Sequence, residues 1–421
     1  MKPKIIIYYF LLFIYSLIFA DLTQSVIIQT TKTNFYYIDI IIFLVFVLFF
    51  NLFKKYGLRY LIESLSFYVP FFLWIIFEIF LGLFNFGASA IGESRSFLSI
   101  FLAIIPFYLF DDKSFNKEKV YLVIKYTIYL GGIAALIIFF IELYIGGRFF
   151  LSEINKANFS FLRDNRGIRY LDVYHSFNIL LLFAFLIIEV IITKKWNIIK
   201  IISIIVLLFI SFYVQGRTSL IAIFISIFVY SLFFNKIHNL IRILIFPLII
   251  LIIIFYFNYN QLKHYITVLE GAITFLYNPY NDITGTALWR YQVNLAAYEQ
   301  ALNSIWIGQS LGGYYNFYIP GASLEMQNTI PHNLYIIILL KAGVVGVILL
   351  IFLLLSILFK LYKQNKNKNN STNDELYFGI LFIAIFAQIP YGFGYTFTNT
   401  FGLYTGFALL LLKHNKMNII E

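Results

Sequence analysis

Three side chains have the types and setting to do chemistry together: Arg217 in VQGRTSL, Arg290 in TALWRYQVNLAAYEQAL and His332 in PHNLYIIILLKAGVVG. A guanidinium is permanently charged and offers a planar fork of donors that matches phosphate geometry. An imidazole with an ordinary pKa near 6.5 takes up a proton at neutral pH, as a general base must. Each arginine could thus clamp an anion, and the histidine could act as a general base. Each residue also has an ordinary alternative. Arg217 could snorkel to lipid headgroups, Arg290 could be a solvated charge on a lid helix, and His332 could be bonded to backbone at a helix start.

The neighbours of these residues extend the pattern. Asn333 is placed to cap the apolar helix that follows, and Gly343 and Gly346 allow close helix packing. Gly308, Gly312 and Gly313 mark a turn between Arg290 and His332. Leu288, Leu295, Ala296 and Leu302 fit one side of a surface helix around Arg290. Lys341 falls roughly 13 Å into the span at 1.5 Å per residue. It is expected either to pair with a buried carboxylate such as Glu78 or to face an aqueous cavity. A second basic stretch, SFLRDNRGIRYLDVYHSFN, carries Arg163, Arg166, Arg169 and His175, with Tyr170 and Tyr174 as stacking surfaces. It reads as a vestibule for sugar hydroxyls and phosphates, or as a surface for anionic lipid or solvent.

Positioning these groups falls to membrane helices. Of 421 residues 61% are hydrophobic and 12% charged, against roughly a quarter charged in soluble domains. Apolar runs of about 18–25 residues recur along the chain, the length that crosses ~30 Å of hydrocarbon as helix. The expected fold is therefore all-α, a polytopic transmembrane bundle of about twelve spans. These are placed near 5–20, 36–53, 65–85, 96–110, 126–146, 175–193, 198–214, 218–234, 240–258, 333–359, 376–391 and 397–412. Residues 1–258 hold spans one to nine. Residues 259–331 form one large extracytoplasmic loop with short helices, and 332–421 hold the last three spans with a polar linker at 362–375. An outer-membrane barrel is excluded, since its strands would alternate in ~10-residue segments.

With the N-terminus inside, 20 of the 31 Lys and Arg residues fall in cytoplasmic segments. The positive-inside rule then puts both termini in the cytoplasm. That bias accounts for the net charge of +11 without nucleic acid. Positive charge on the other side is concentrated in 147–173, at Arg217 and in 259–331, against the topological bias. Absence of Cys removes disulfides, zinc thiolates and thiol catalysis. Asp282, Glu299 and Glu325 are scattered without a ligand spacing, so no metal is expected.

Taken together, GRTSLIAIF (216–224), ALWRYQ…ALNSIWIGQSLGGY and PHNLYIIILLKAGVVG (331–346) resemble the O-antigen polymerase and O-antigen ligase superfamily of bacterial membrane enzymes. The resemblance covers roughly 174–354. It departs from the family at Gly216-Arg217-Thr218, where Ser-Arg-Gly is frequent, and at 303–306, where a proline often precedes the glycine turn. It implies that Arg217 and Arg290 bind phosphate and that His332 is the essential histidine, with Asn333 and Tyr335 beside it at the substrate. It implies a polyprenyl-diphosphate-linked oligosaccharide as donor and a glycan hydroxyl as acceptor. Also implied are an inverting transfer without cofactor or metal, a site on the outer face of the bacterial plasma membrane, and a chain-length regulator as a further partner. Polymerase is the expected activity, in O-antigen (lipopolysaccharide) or capsule assembly, with transfer to lipid A-core by a ligase as the alternative. A lipid-linked glycan flippase also has many spans, but would show repeat symmetry and midplane polar groups. A polyprenyl-phosphate glycosyltransferase with a carboxylate base at Asp21 is a further alternative.

Overall fold

The structure is a computed structural model that describes residues 26–29, 34–65, 68–110, 115–145, 173–195, 197–213, 217–257, 286–318, 325–328, 331–367, 370–395, 397–398 and 400–417. A short antiparallel pair, β1 (Val26–Gln29) with β2 (Asn34–Tyr36), leads into α1 (Tyr37–Leu65), which is kinked at Gly57. Then come α2 (Tyr68–Phe86), α3 (Ala88–Leu98), a 3₁₀ turn (Ser99–Ala103), α4 (Ile104–Leu109), α5 (Lys117–Ile145) and α6 (Val173–Thr193). The sequence continues through α7 (Ile198–Tyr213), α8 (Arg217–Phe233), α9 (Ile237–Phe257) and α10 (Thr286–Leu302). A hairpin of β3 (Tyr315–Tyr318) and β4 (Glu325–Asn328) pairs Tyr315 with Asn328 and Tyr318 with Glu325. The chain closes with α11 (Leu334–Asn365), α12 (Thr372–Phe386), α13 (Gln388–Gly392) and α14 (Phe401–Met417).

The protein is helical and membrane-embedded, with helices on the expected apolar runs, but the expectation of twelve spans is corrected. Among the described residues five helices are long and apolar enough to cross a bilayer: 68–86, 117–141, 176–193, 334–365 and 372–392. Three shorter apolar helices, 100–109, 198–211 and 218–233, fall below the ~20 residues that ~30 Å of hydrocarbon requires. The run expected to cross at 96–110 is instead divided among α3, the 3₁₀ turn and α4. The span expected at 5–20 lies outside the described residues.

The centre of the bundle is α6, α12 and α14. On α6 an unbroken run from Phe177 to Leu186 is buried, the polar Asn178 included. A helix apolar all round belongs in the middle of a bundle. Aromatic rings fill the seams: Tyr121 stacks on Tyr377 at 4.3 Å, and Phe72 meets Phe101 edge-on at 4.1 Å.

Charge sits at one end of this bundle. Lys117 pairs with Asp374 at 2.6 Å, Lys200 with Glu189 at 2.9 Å and Lys236 with Glu375 at 2.9 Å. Ser371 and Asp374 form a reciprocal cap on α12 at this same end. The starts of α6, α8 and α11 lie at the opposite end.

Candidate functional site

The site end is built on a broken helix. In α11 the residue Gly343 has φ +64°, which interrupts the i to i−4 ladder and would strain any residue with a Cβ. Backbone polar groups freed in a span must find partners. They find them in the turn that follows α10: Gln309 N–H donates to Leu340 O (2.8 Å) and Ser310 N–H to Lys341 O (3.1 Å). In return Val344 N–H donates to Ile305 O (2.8 Å) and Val345 N–H to Trp306 O (3.3 Å). Trp74 of α2 donates its indole N–H to Ala342 O at 2.9 Å, closing the remaining side. The two backbones approach so closely that a Cβ on Gly343 would lie 2.2 Å from Trp306 O. Likewise Gly308, at φ +77°, would place a Cβ 2.5 Å from Lys341 C.

A buried ion pair fastens the same turn. Lys341 Nζ lies 2.8 Å from Glu93 Oε2, with side chains 1% and 5% exposed. The ammonium also donates to Gly313 O, while Gly312 N–H donates to Glu93 Oε2 at 2.7 Å. The partner of Lys341 is thus Glu93 of α3, which corrects the expected Glu78. The reason is the glycine turn, which brings Gly312 and Gly313 between α3 and α11. Glu78 is buried on α2, and neither of its oxygens has a hydrogen-bond partner among the described residues.

The docked turn carries α10 against the start of α11. Arg290, Val293, Asn294 and Ala297 recur at i, i+3, i+4 and i+7, one helix face; Val293 and Ala297 are fully buried. Asn294 Oδ1 accepts the His332 backbone N–H at 3.1 Å, and the His332 ring leans on Trp289 at 4.8 Å between centroids. Asn333 caps α11 as expected, its Oδ1 accepting from Tyr335 N–H and Ile336 N–H. The expected apolar side of α10 is corrected: Leu295 and Leu302 are exposed, and Val293, Ala297 and Ala301 are the buried residues.

A hub of residues in and just after α13 gathers the other helix starts. Tyr335 donates its hydroxyl to Ile389 O at 2.8 Å, and its ring lies 5.0 Å from Phe393. Phe177, early in α6, meets Tyr391 edge-on at 5.5 Å. Gly394 packs on Thr218, where a Cβ would lie 3.0 Å from Thr218 Cγ2. Arg217, the first residue of α8, is therefore adjacent to a residue in contact with the hub. Tyr395, next to Gly394, accepts a long hydrogen bond from Arg290 Nη2 (3.4 Å), and its ring centroid is 5.5 Å from the guanidinium carbon.

Arg290 and His332 are brought together, and the backbone of Arg217 reaches the same end. The side chains of Arg217 and His175 are outside the described atoms, although both open helices at this end. Arg163, Arg166 and Arg169 lie outside the described residues. Tyr391, Tyr395, Trp289 and Asn294 support the site without having stood out from the sequence. The one cue to the hub is the run Pro390-Tyr391-Gly392-Phe393-Gly394-Tyr395, which interrupts an apolar stretch with glycine and tyrosine.

The electrostatics are asymmetric. Arg290 is half-buried, its Nε is buried without a partner, and among the described residues no carboxylate pairs with it. Burial and, after it, the neighbouring Arg290 charge push the His332 pKa down to about 4. At neutral pH the imidazole is thus uncharged and keeps a lone pair, beside a cation with unmet donors. Such an arrangement can hold an anion and accept a proton next to it. Among the described residues no three His, Asp or Glu side chains gather as metal ligands. No protein-family model matches this chain, and no curated protein matches it.

Proposed function

We propose that this protein is a membrane glycosyltransferase that polymerises polysaccharide repeat units. It takes a glycan from a polyprenyl diphosphate and joins it to a hydroxyl of an acceptor glycan on the outer face of the bacterial plasma membrane. The observation that carries this reading is the half-buried Arg290 guanidinium, paired with no carboxylate among the described residues, beside an uncharged His332. The resemblance of 216–224, 287–314 and 331–346 to O-antigen polymerases and ligases supplies the substrate class.

In the proposed reaction the acceptor hydroxyl oxygen forms a bond to the anomeric carbon on the face opposite the diphosphate. The bond from that carbon to the diphosphate oxygen breaks, its electron pair leaves with the carrier, and the hydroxyl proton goes to His332. Single displacement inverts the anomeric centre. Arg290 and Arg217 neutralise charge that grows on the leaving diphosphate, and fixed charges aimed at such growing charge are commonly the main source of rate enhancement. A charge-assisted hydrogen bond is worth roughly 1.5–3 kcal/mol, so each arginine supplies on the order of 10–150-fold. Tyr335 and Asn333 fix the helix start from which His332 projects.

The topology of this reading places the site end outside and both termini in the cytoplasm. The three Lys-bearing ion pairs at the other end agree with the positive-inside rule. The first test is deletion of the gene followed by glycan analysis. Single repeat units on lipid core, or short capsule chains, are expected for a lost polymerase. Long chains left on the polyprenyl carrier would assign the ligase reaction instead, and an unaltered surface glycan would reject both.

A further inference from the structure

Helix α10 turns an apolar stripe away from the protein. Tyr291, Leu295, Tyr298 and Leu302 are all exposed and recur at i, i+4, i+7 and i+11, one face of the helix. The stripe runs on into the turn, where Ile305, Trp306 and Ile307 are exposed, Trp306 by 70%. A water-facing helix would carry polar residues there. Glu299, exposed at the edge of the stripe, is the acidic residue nearest to it on α10.

The height of this ridge follows from α11. Lys360, Lys363 and Lys366 lie near its far end, and lysines at a span end sit in the headgroup region. Counting ~30 Å of hydrocarbon from Lys360 at 1.5 Å per residue puts the other boundary about 20 residues back, near Leu340. The turn is hydrogen-bonded to Leu340, Lys341, Val344 and Val345, so Trp306 lies at that boundary. Tryptophan and tyrosine concentrate at this level because one part of the ring is apolar and another hydrogen-bonds. The ridge is also continuous with the exposed apolar flank of α11, formed by Ile348, Ile351, Phe352 and Leu355.

We infer that α10 and residues 303–311 are an interfacial anchor, docked through Tyr291, Leu295, Tyr298, Leu302 and Ile305–Ile307 onto lipid of the leaflet at the site end. The anchor sets the height of Arg290, one residue from Tyr291, at the level of lipid headgroups. This inference stands on geometry and does not depend on glycan transfer.

The chain contains no cysteine, so single-cysteine variants of the full protein report cleanly. L302C, W306C and Y298C sample the ridge; F352C on α11 marks lipid and N316C, exposed on β3, marks water. Each is placed in phosphatidylcholine vesicles opened to reagent on both sides. It is then labelled with a charged maleimide or, separately, with a fluorophore quenched by nitroxide-bearing lipid. At L302C and W306C, maleimide labelling about tenfold slower than at N316C is expected, together with quenching by lipid within about twofold of F352C. Rapid labelling at both positions would overturn the inference by placing the ridge in water. Slow labelling without lipid quenching would also overturn it, showing protein cover such as a second copy. Y298C is the alternative if W306C fails to give a monodisperse protein.

Discussion

At the scale of single residues, the proposed His332 base has a strength that depends on what occupies Arg290. Burial and the Arg290 charge hold the imidazole pKa near 4 in the free protein. A bound diphosphate would offset the Arg290 charge and raise that value, so the base strengthens when donor is present. The acid limb of kcat/KM, which reports the free enzyme, is expected near pH 4. The limb of kcat, which reports the substrate complex, is expected at higher pH. R290Q should move the free-enzyme limb upward, because a cation that opposes protonation is gone; a limb that stays in place would remove Arg290 from the environment of His332. R217K should lose most activity, since an ammonium cannot offer a two-pronged contact to diphosphate. Full activity in steady-state transfer assays would reduce Arg217 to a simple charge. The sequence pointed to Arg290 and His332 because both fall on one polar segment that leads into an apolar helix, within stretches that resemble a known family. It did not point to Tyr395, one of 33 tyrosines, whose role arises from a turn 105 residues away in the chain. Glu78 was the carboxylate the sequence offered to Lys341; the path of the glycine turn, which no periodic pattern records, brings Glu93 to it instead.

At the scale of elements, the break in α11 and the turn docked in it act as one unit that sets Arg290 against His332. Replacing Gly343 with Ala forces a Cβ into the Trp306 carbonyl and into a left-handed backbone conformation. Loss of about 1–2 kcal/mol or more is expected from the conformation alone, read as a lowered unfolding midpoint in detergent. Unchanged stability and activity would mean that the turn is not locked there. The ion pair beneath it gives an independent check. K341M leaves Glu93 buried and uncompensated, which typically costs about 3–5 kcal/mol. The double variant K341M/E93Q should recover a good part, since Gln can still accept from Gly312 N–H. No recovery would argue against a direct pair. Gly343 and the Gly308–Gly313 turn were visible in the sequence as glycines near a span. That they meet was not, because backbone-to-backbone docking between segments distant in the chain leaves no periodic signature. The same holds for α10: its stripe of Leu295 and Leu302 suggested a packing face, whereas lipid satisfies such a face as well as protein does.

At the scale of the whole molecule, hydropathy located the helices well and their number of crossings less well. Apolar content says that a segment avoids water, but a run such as 96–110 avoids it equally as two short helices around a 3₁₀ turn. Charge was more informative, since the lysines assigned to one face do form ion pairs at one end of the bundle, opposite His332. The proposed function requires that opposite end to meet a lipid-borne diphosphate outside the cell. The most direct measurement uses purified protein in vesicles with a polyprenyl-diphosphate-linked repeat unit, comparing wild type with H332Q. Wild type is expected to extend the glycan and release polyprenyl diphosphate. H332Q should still bind the donor but transfer on the order of 10²–10⁴-fold more slowly. Extension at the wild-type rate by H332Q, with donor bound equally well, would contradict the general-base role on which the proposed function rests.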